Sequence, residues 1–269
     1  MSSDFASLPL LPALLEVVKE IGFQHLTPIQ AQSVPALLEG KDLIGQSKTG
    51  SGKTAAFALP LLQKLDLSKR ELQALVLCPT RELSAQVARE LRKLGRNLSG
   101  LSVATLSGGQ EVREQARALE QGVHVAVGTP GRLIDHLRRR NLKVHRVATV
   151  VLDEADRMLD MGFGEDVGKV LKALPATRQT VFFSATYPGT IRELSAKYQR
   201  DPRWITVSEA VQEAPDIREL VVSSSEHDKL GALRAALALH PHESALVFAN
   251  QKLTVRKLQE NLHVSGSSV

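Results

Sequence analysis

An α/β protein whose parallel sheet is covered by helices on both faces is predicted by three observations. Short apolar runs rich in Val, Leu and Ile alternate with amphipathic segments from residue 42 onward. The glycine-rich stretch Ser47-Lys48-Thr49-Gly50-Ser51-Gly52-Lys53-Thr54 opens an apolar segment. The acidic tetrad Asp153-Glu154-Ala155-Asp156 follows another apolar run, at a strand end, where ligands of open α/β sheets collect.

The runs expected as strands are residues 42–44, 72–78, 101–106, 123–127, 148–152 and 180–183. The segment after the glycine-rich loop, residues 53–65, is apolar nearly all round, which predicts a buried helix with Pro60 removing one backbone bond. Over residues 81–97 the helical period is clear, with Leu83, Val87, Leu91 and Leu94 on one face and Arg89, Lys93 and Arg96 off it. Arg138, Arg139 and Arg140 then read as cations at a helix C-terminus rather than as a binding patch. Residues 208–215 are polar and carry Pro215, the composition of a linker. The rhythm restarts as strand 217–222, helix 228–239, strand 245–248 and helix 251–262. Too few elements for a closed core remain. The expected domains are therefore 1–208, a linker at 209–215, and a truncated second domain over 216–269.

With 43% hydrophobic and 23% charged residues the 269-residue chain has an ordinary globular composition. The net charge of +5 tilts toward an anionic partner, while 4% aromatic content argues against a platform of stacked bases. Cys78, the only cysteine, ends an apolar run and reads as a buried strand thiol. The eight histidines show no i, i+4 pair suited to zinc. No apolar stretch approaches the roughly 18 residues that span a bilayer, so the expectation is a cytoplasmic protein with no membrane contact.

The glycine-rich loop has the chemistry of a phosphate cradle. Gly50 and Gly52 let several N–H groups face one anion at a helix N-terminus, Lys53 reaches the β- and γ-phosphates, and the Thr54 hydroxyl suits magnesium. Ser47 stands where the pattern G-x-x-x-x-G-K-[ST] has its first glycine, a small residue for a smaller one.

Further blocks follow in order: Gly22-Phe23 with Thr27-Pro28-Ile29-Gln30, Pro79-Thr80-Arg81-Glu82-Leu83, Gly108-Gly109, Thr129-Pro130-Gly131-Arg132 and Ser184-Ala185-Thr186. With the loop and the tetrad they make the chain resemble the DEAD-box ATP-dependent RNA helicases. Wording such as Val76-Leu77-Cys78-Pro79-Thr80 is similar to members acting on ribosomal RNA. The resemblance implies a RecA-like P-loop NTPase domain, an incomplete second one, ATP with Mg2+, a monomer, and RNA held by its backbone.

Residue by residue, the resemblance makes Lys53 and the loop residues Ser47, Lys48, Thr49, Gly50, Ser51, Gly52 and Thr54 the ATP cradle. Asp153, with Thr54, becomes the magnesium holder and Glu154 the base for the attacking water. It places Phe5 over the adenine and gives Gln30 its edge, a task that suits an amide with one donor and one acceptor end and no other duty. Asp156, Ser184 and Thr186 become the coupling of hydrolysis to RNA handling. Read from the residues alone, Asp156 is a solvated acid near a helix start. Thr80, Arg81, Gly109, Thr129 and Arg132 match backbone contacts to RNA, and hydroxyls, bare amides and guanidinium groups bind phosphate without reading bases. No stretch after Asn250 matches the family's phosphate-stabilising arginines, which leaves two expectations: an RNA-dependent ATPase that unwinds short duplexes, with this chain nearly inactive alone, or a non-catalytic ATP- and RNA-binding module.

Overall fold

The computed structural model describes residues 4–48, 50–207, 218–225, 228–240 and 242–264. They fall into two compact units, Met1–Glu209 and Ala210–Val269.

In the first unit, α1 (Pro12–Glu20) and α2 (Pro28–Leu38) precede the alternating part of the chain. The strands are β1 (Leu43–Gln46), β2 (Ala74–Leu77), β3 (Val103–Leu106), β4 (Val125–Gly128), β5 (Thr149–Leu152), β6 (Gln179–Ser184) and β7 (Arg203–Thr206). Between them lie α3 (Lys53–Gln63), α4 (Arg81–Leu94), α5 (Val112–Glu120), α6 (Pro130–Arg138), α7 (Ala155–Asp160), α8 (Gly164–Ala173) and α9 (Gly189–Tyr198).

All seven strands are parallel in the order β3-β4-β2-β5-β6-β1-β7. Alternate residues of each strand face opposite ways, and here both ways are core. Leu43, Val76, Val151, Val181 and Phe183 join one cluster with α1, α2, α3 and α4, through Leu14, Leu37, Phe57 and Leu91. Ile44, Leu75, Val150, Leu152 and Phe182 join the other with α6, α8 and α9, through Leu133, Val167 and Ile191. Burial on both sides explains why these strands read as continuous apolar runs. Helix α3 is buried almost throughout, and Pro60 sits inside it without ending it.

The seventh strand was not among the expected runs. β7 pairs with β1 at the sheet edge and only Ile205 of its four residues is buried, so its pattern carries little apolar signal. In the other unit, α10 (Lys229–Leu239) and α11 (Lys252–Val264) form near the expected helices. The expected strands do not: residues 218–222 and 245–248 are in no strand, with Val221 96% and Phe248 89% exposed. An apolar run becomes a strand only where a neighbour completes its backbone hydrogen bonds. The linker 209–215, Ile217 and the tail 265–269 lie outside the described residues.

Candidate functional site

Strand order sorts the candidate residues into two groups. β5, β6 and β1 are neighbours, so the segments leaving their C-terminal ends, 153–156, 184–186 and 47–54, meet. β3, β4 and β2 are neighbours too, and the segments leaving them carry Gly109, Thr129 with Arg132, and Thr80 with Arg81.

In the first group the loop is tied down at its base, where the Ser47 amide donates to the Ser184 carbonyl at 3.1 Å. Gly50 (φ +84°) and Gly52 (φ +91°) are left-handed, a conformation that glycine adopts without cost. Ser51 Oγ donates to the Lys48 carbonyl, Ser47 and Ser51 share a hydroxyl bond, and the Lys53 ammonium donates to the Ser47 carbonyl at 2.9 Å. Lys53 therefore folds back over the loop it is expected to serve, with α3 directing its N-terminus at the same place. Thr49 lies outside the described residues.

Gln30 has a second duty. Its Oε1 accepts from the Thr27 amide at 2.9 Å and its Nε2 donates to the Gly52 carbonyl at 3.1 Å. The expectation of an amide free for the base is corrected: burial in α2 against the loop leaves each end of this side chain partnered. Phe5 is 2% exposed and stacks on Phe23 with ring centroids 5.8 Å apart. A cavity of about 550 Å³ collects Phe23, Gln30, Lys53, Thr54, Asp153 and Glu154, and Phe5 lines instead a cavity of about 1110 Å³ that shares Phe23.

β5 ends at Leu152, and Glu154 is left-handed (φ 54°, ψ 53°). That turn brings two adjacent carboxylates to one cavity, which a continuing strand would not do. Burial pushes the Asp153 carboxyl up to about 6, opposed by the charge of Lys53 and assisted by Glu154. Glu154 Oε2 accepts from Arg157 Nη1 at 2.7 Å. A hydroxyl and a carboxylate, Thr54 and Asp153, form a hard oxygen donor set that fits magnesium, an ion that takes few protein ligands when phosphates supply others.

Asp156, expected as a solvated acid, is 6% exposed. Its Oδ2 accepts from both the amide and the hydroxyl of Thr186, and its own amide donates to Ser184 Oγ at 3.2 Å. The correction has a topological cause: β6 lies beside β5, so the segment leaving β6 covers the start of α7.

In the second group, Thr80 Oγ1 caps α4 by accepting from the Leu83 amide at 3.2 Å. A β-carbon on Gly108 or Gly109 would run into the Arg81 guanidinium, so Arg81 lies flat against that loop. Arg132 Nη1 donates to the Gln110 carbonyl at 3.1 Å and to Gln115 Oε1 at 2.9 Å. Thr129 starts α6, its amide bonded to Leu106. The three segments form one strip of hydroxyl, glycine and guanidinium groups.

Phe23, Arg157, Gln110 and Gln115 were not singled out from the sequence. Phe23 had a signal, lying within a matched block, while the others are visible only as contacts. Among the described residues no helix is long and apolar enough to cross a membrane.

The profile of the DEAD/DEAH box helicase family matches residues 27–194. The DEAD-box ATP-dependent RNA helicase CshA of Bacillus cereus is 44% identical over 264 residues, covering 98% of this chain and 50% of that protein. The ATP-dependent RNA helicase DbpA of Escherichia coli is 45% identical over 265 residues, covering 98% and 58%. A solved structure of a DEAD box protein from the hyperthermophile Methanococcus jannaschii superposes with a TM-score of 0.73 at 35% identity, covering 98% of this chain and 70% of that one. The chain spans about half the length of the curated relatives it matches.

Proposed function

From the premise that this chain belongs to the DEAD/DEAH-box helicase family, we propose that it is the ATP-binding part of an RNA-dependent ATPase that unwinds short RNA duplexes locally. The observation that carries the reading is the single cavity lined by Lys53, Thr54, Asp153 and Glu154.

The Lys53 ammonium leaves the Ser47 carbonyl for the β- and γ-phosphates of ATP, exchanging a neutral acceptor for an anionic one. Thr54 and Asp153 would hold Mg2+, which when bound supplies charge neutralisation at the phosphate oxygens. Glu154 Oε1 accepts the proton of the attacking water while Arg157 fixes Oε2. Gln30 and Phe23 face the base, with Phe5 behind Phe23. Thr80, Arg81, Gly109, Thr129 and Arg132 hold the RNA backbone, and Asp156, Ser184 and Thr186, tied to one another by hydrogen bonds, couple hydrolysis to RNA handling. Residues 1–208 as one RecA-like domain, residues from 216 as the start of a second, a cytoplasmic monomer and ribosomal RNA as target belong to the same proposal, supported by the resemblance.

Among the described residues lining the cavity, Arg157 is the one arginine, and it is bonded to Glu154. A transition-state arginine contributes about 10³ to 10⁵ in rate, so these 269 residues measured alone are expected to bind magnesium-ATP and turn it over slowly. Isothermal titration with magnesium-ATP, and phosphate release with and without single-stranded RNA, test the reading. Failure to bind ATP overturns it, and strong RNA-stimulated turnover overturns the need for an arginine from elsewhere.

A further inference from the structure

Helix α5 has a single buried residue, and it is polar: Gln115, 5% exposed. Its Nε2 donates to the Ser107 carbonyl at 3.0 Å and to Gln110 Oε1 at 3.2 Å. Its Oε1 faces Arg132 Nη1 and His136 Nε2, each at 2.9 Å. The orientation of the amide follows from chemistry, because a guanidinium can only donate and a carbonyl can only accept. His136, fully buried, must then donate through Nε2, which leaves Nδ1 to accept from Asn141 at 3.4 Å. Two donors and two acceptors are thus all engaged.

These bonds join three segments that sequence separates. Ser107 and Gln110 flank the glycine pair, Arg132 and His136 lie in α6, and Gln115 sits beneath both. Both hydrogens of Arg132 Nη1 are engaged by Gln110 and Gln115, which orients the guanidinium plane and leaves the Nε and Nη2 edge, the fork that suits bidentate contact with phosphate, outside these two bonds.

We propose that Gln115 is a positioning residue for the RNA backbone, acting through Arg132 and holding that guanidinium in register with the Gly108-Gly109 loop. The inference rests on the RNA reading of the strip given above. A glutamine here is not interchangeable with an apolar residue of similar volume, because leucine would fill the space and leave Arg132 with the Gln110 carbonyl alone of these two anchors.

The test is a double-mutant cycle on the 269-residue chain. Affinity for a fluorescein-labelled single-stranded oligoribonucleotide is measured by anisotropy, with Mg2+ and a non-hydrolysable ATP analogue at fixed low salt. Arg132→Ala is expected to weaken RNA binding by about 10-fold, as loss of one good phosphate contact does. Gln115→Leu should weaken it by roughly 3- to 10-fold, and the double variant should be no weaker than Arg132→Ala by more than about 2-fold, because residues acting as one unit are not additive. The slope of log affinity against log salt should fall by about the same amount, near one unit, in both single variants, a readout that loss of fold stability alone does not produce. Nucleotide affinity should be unchanged in all three.

Additive losses in the double variant, or wild-type RNA affinity in Gln115→Leu, overturn the proposal. If Arg132→Ala itself leaves RNA affinity intact, the RNA reading of the strip falls and the inference with it. An effect of Arg132→Ala without one of Gln115→Leu brings down the inference alone. Should Gln115→Leu fail to fold, Gln115→Met keeps an unbranched stem without hydrogen-bonding capacity and carries the same cycle.

Discussion

Thr186 donates twice to one oxygen of Asp156: its amide and its hydroxyl each lie 2.8 Å from Oδ2. Burial alone would raise that carboxyl, but the bonds from Thr186 and the Ser184 hydroxyl outweigh it and hold the acid below the usual carboxylate range. A depressed folded pKa stabilises the fold at pH above the unfolded value, near about 3.9, and the stabilisation is lost as pH falls through the folded one.

Thr186→Val is therefore expected to cost about 1.5–3 kcal/mol at pH 7, the range for a bond to a charged group. Urea unfolding at pH 7 and at pH 3 checks it. The gap between variant and wild type should begin to narrow in acid, because Asp156 of the variant, lacking one of the bonds that hold the acid down, takes up a proton before that of the wild type. An equal gap at both values would show that the bond does not depend on the carboxylate being ionised.

Lys53→Ala should lower ATP affinity by at least about 100-fold, since two charge-assisted contacts of roughly 1.5–3 kcal/mol each are lost. Isothermal titration reads this directly. Because the ammonium also bonds to the Ser47 carbonyl, the variant should leave a looser loop, seen as faster amide exchange at Ser47, Lys48 and residues 50–52. Affinity equal to wild type would remove the phosphate-cradle reading.

Gln30→Ala should weaken ATP and GTP together and erode the preference between them. The first effect comes from the Gly52 bond and the second from loss of an amide beside the base. Competition binding with both nucleotides separates the two. A preference that survives intact would mean that the base is read by other residues.

Glu154→Asn tests the left-handed turn. Asn tolerates that conformation better than Glu, and relief of the strain is worth up to about 1 kcal/mol. Opposed to it is the Arg157 pair, whose arginine side chain is 60% exposed, a setting in which ion pairs contribute about 0–1 kcal/mol. The melting temperature should stay level or rise, while phosphate release should vanish and ATP binding persist. A clear fall in melting temperature would show that the pair outweighs the strain.

Much of this site is written in neighbouring residues. The phosphate loop is eight consecutive positions, so its glycines, lysine and threonine are brought together by local chain geometry, while Ser184 and Gln30 tie the loop in place from outside it. Asp153 and Glu154 were legible for the same reason, and so was the sheet, because a strand buried on both faces leaves an unbroken apolar run. What the sequence could not determine depends on strand order. β6 inserts between β5 and β1, and only that placement brings Thr186 onto Asp156, 30 residues away. Gln30 reaches Gly52 across 22 residues because α2 packs on the loop, and Gln115 reaches Arg132 because β3 and β4 are adjacent. The apolar run at 245–248 shows the converse: it has the composition of a strand and forms none, since a strand is a relationship between two backbones and composition specifies only one of them.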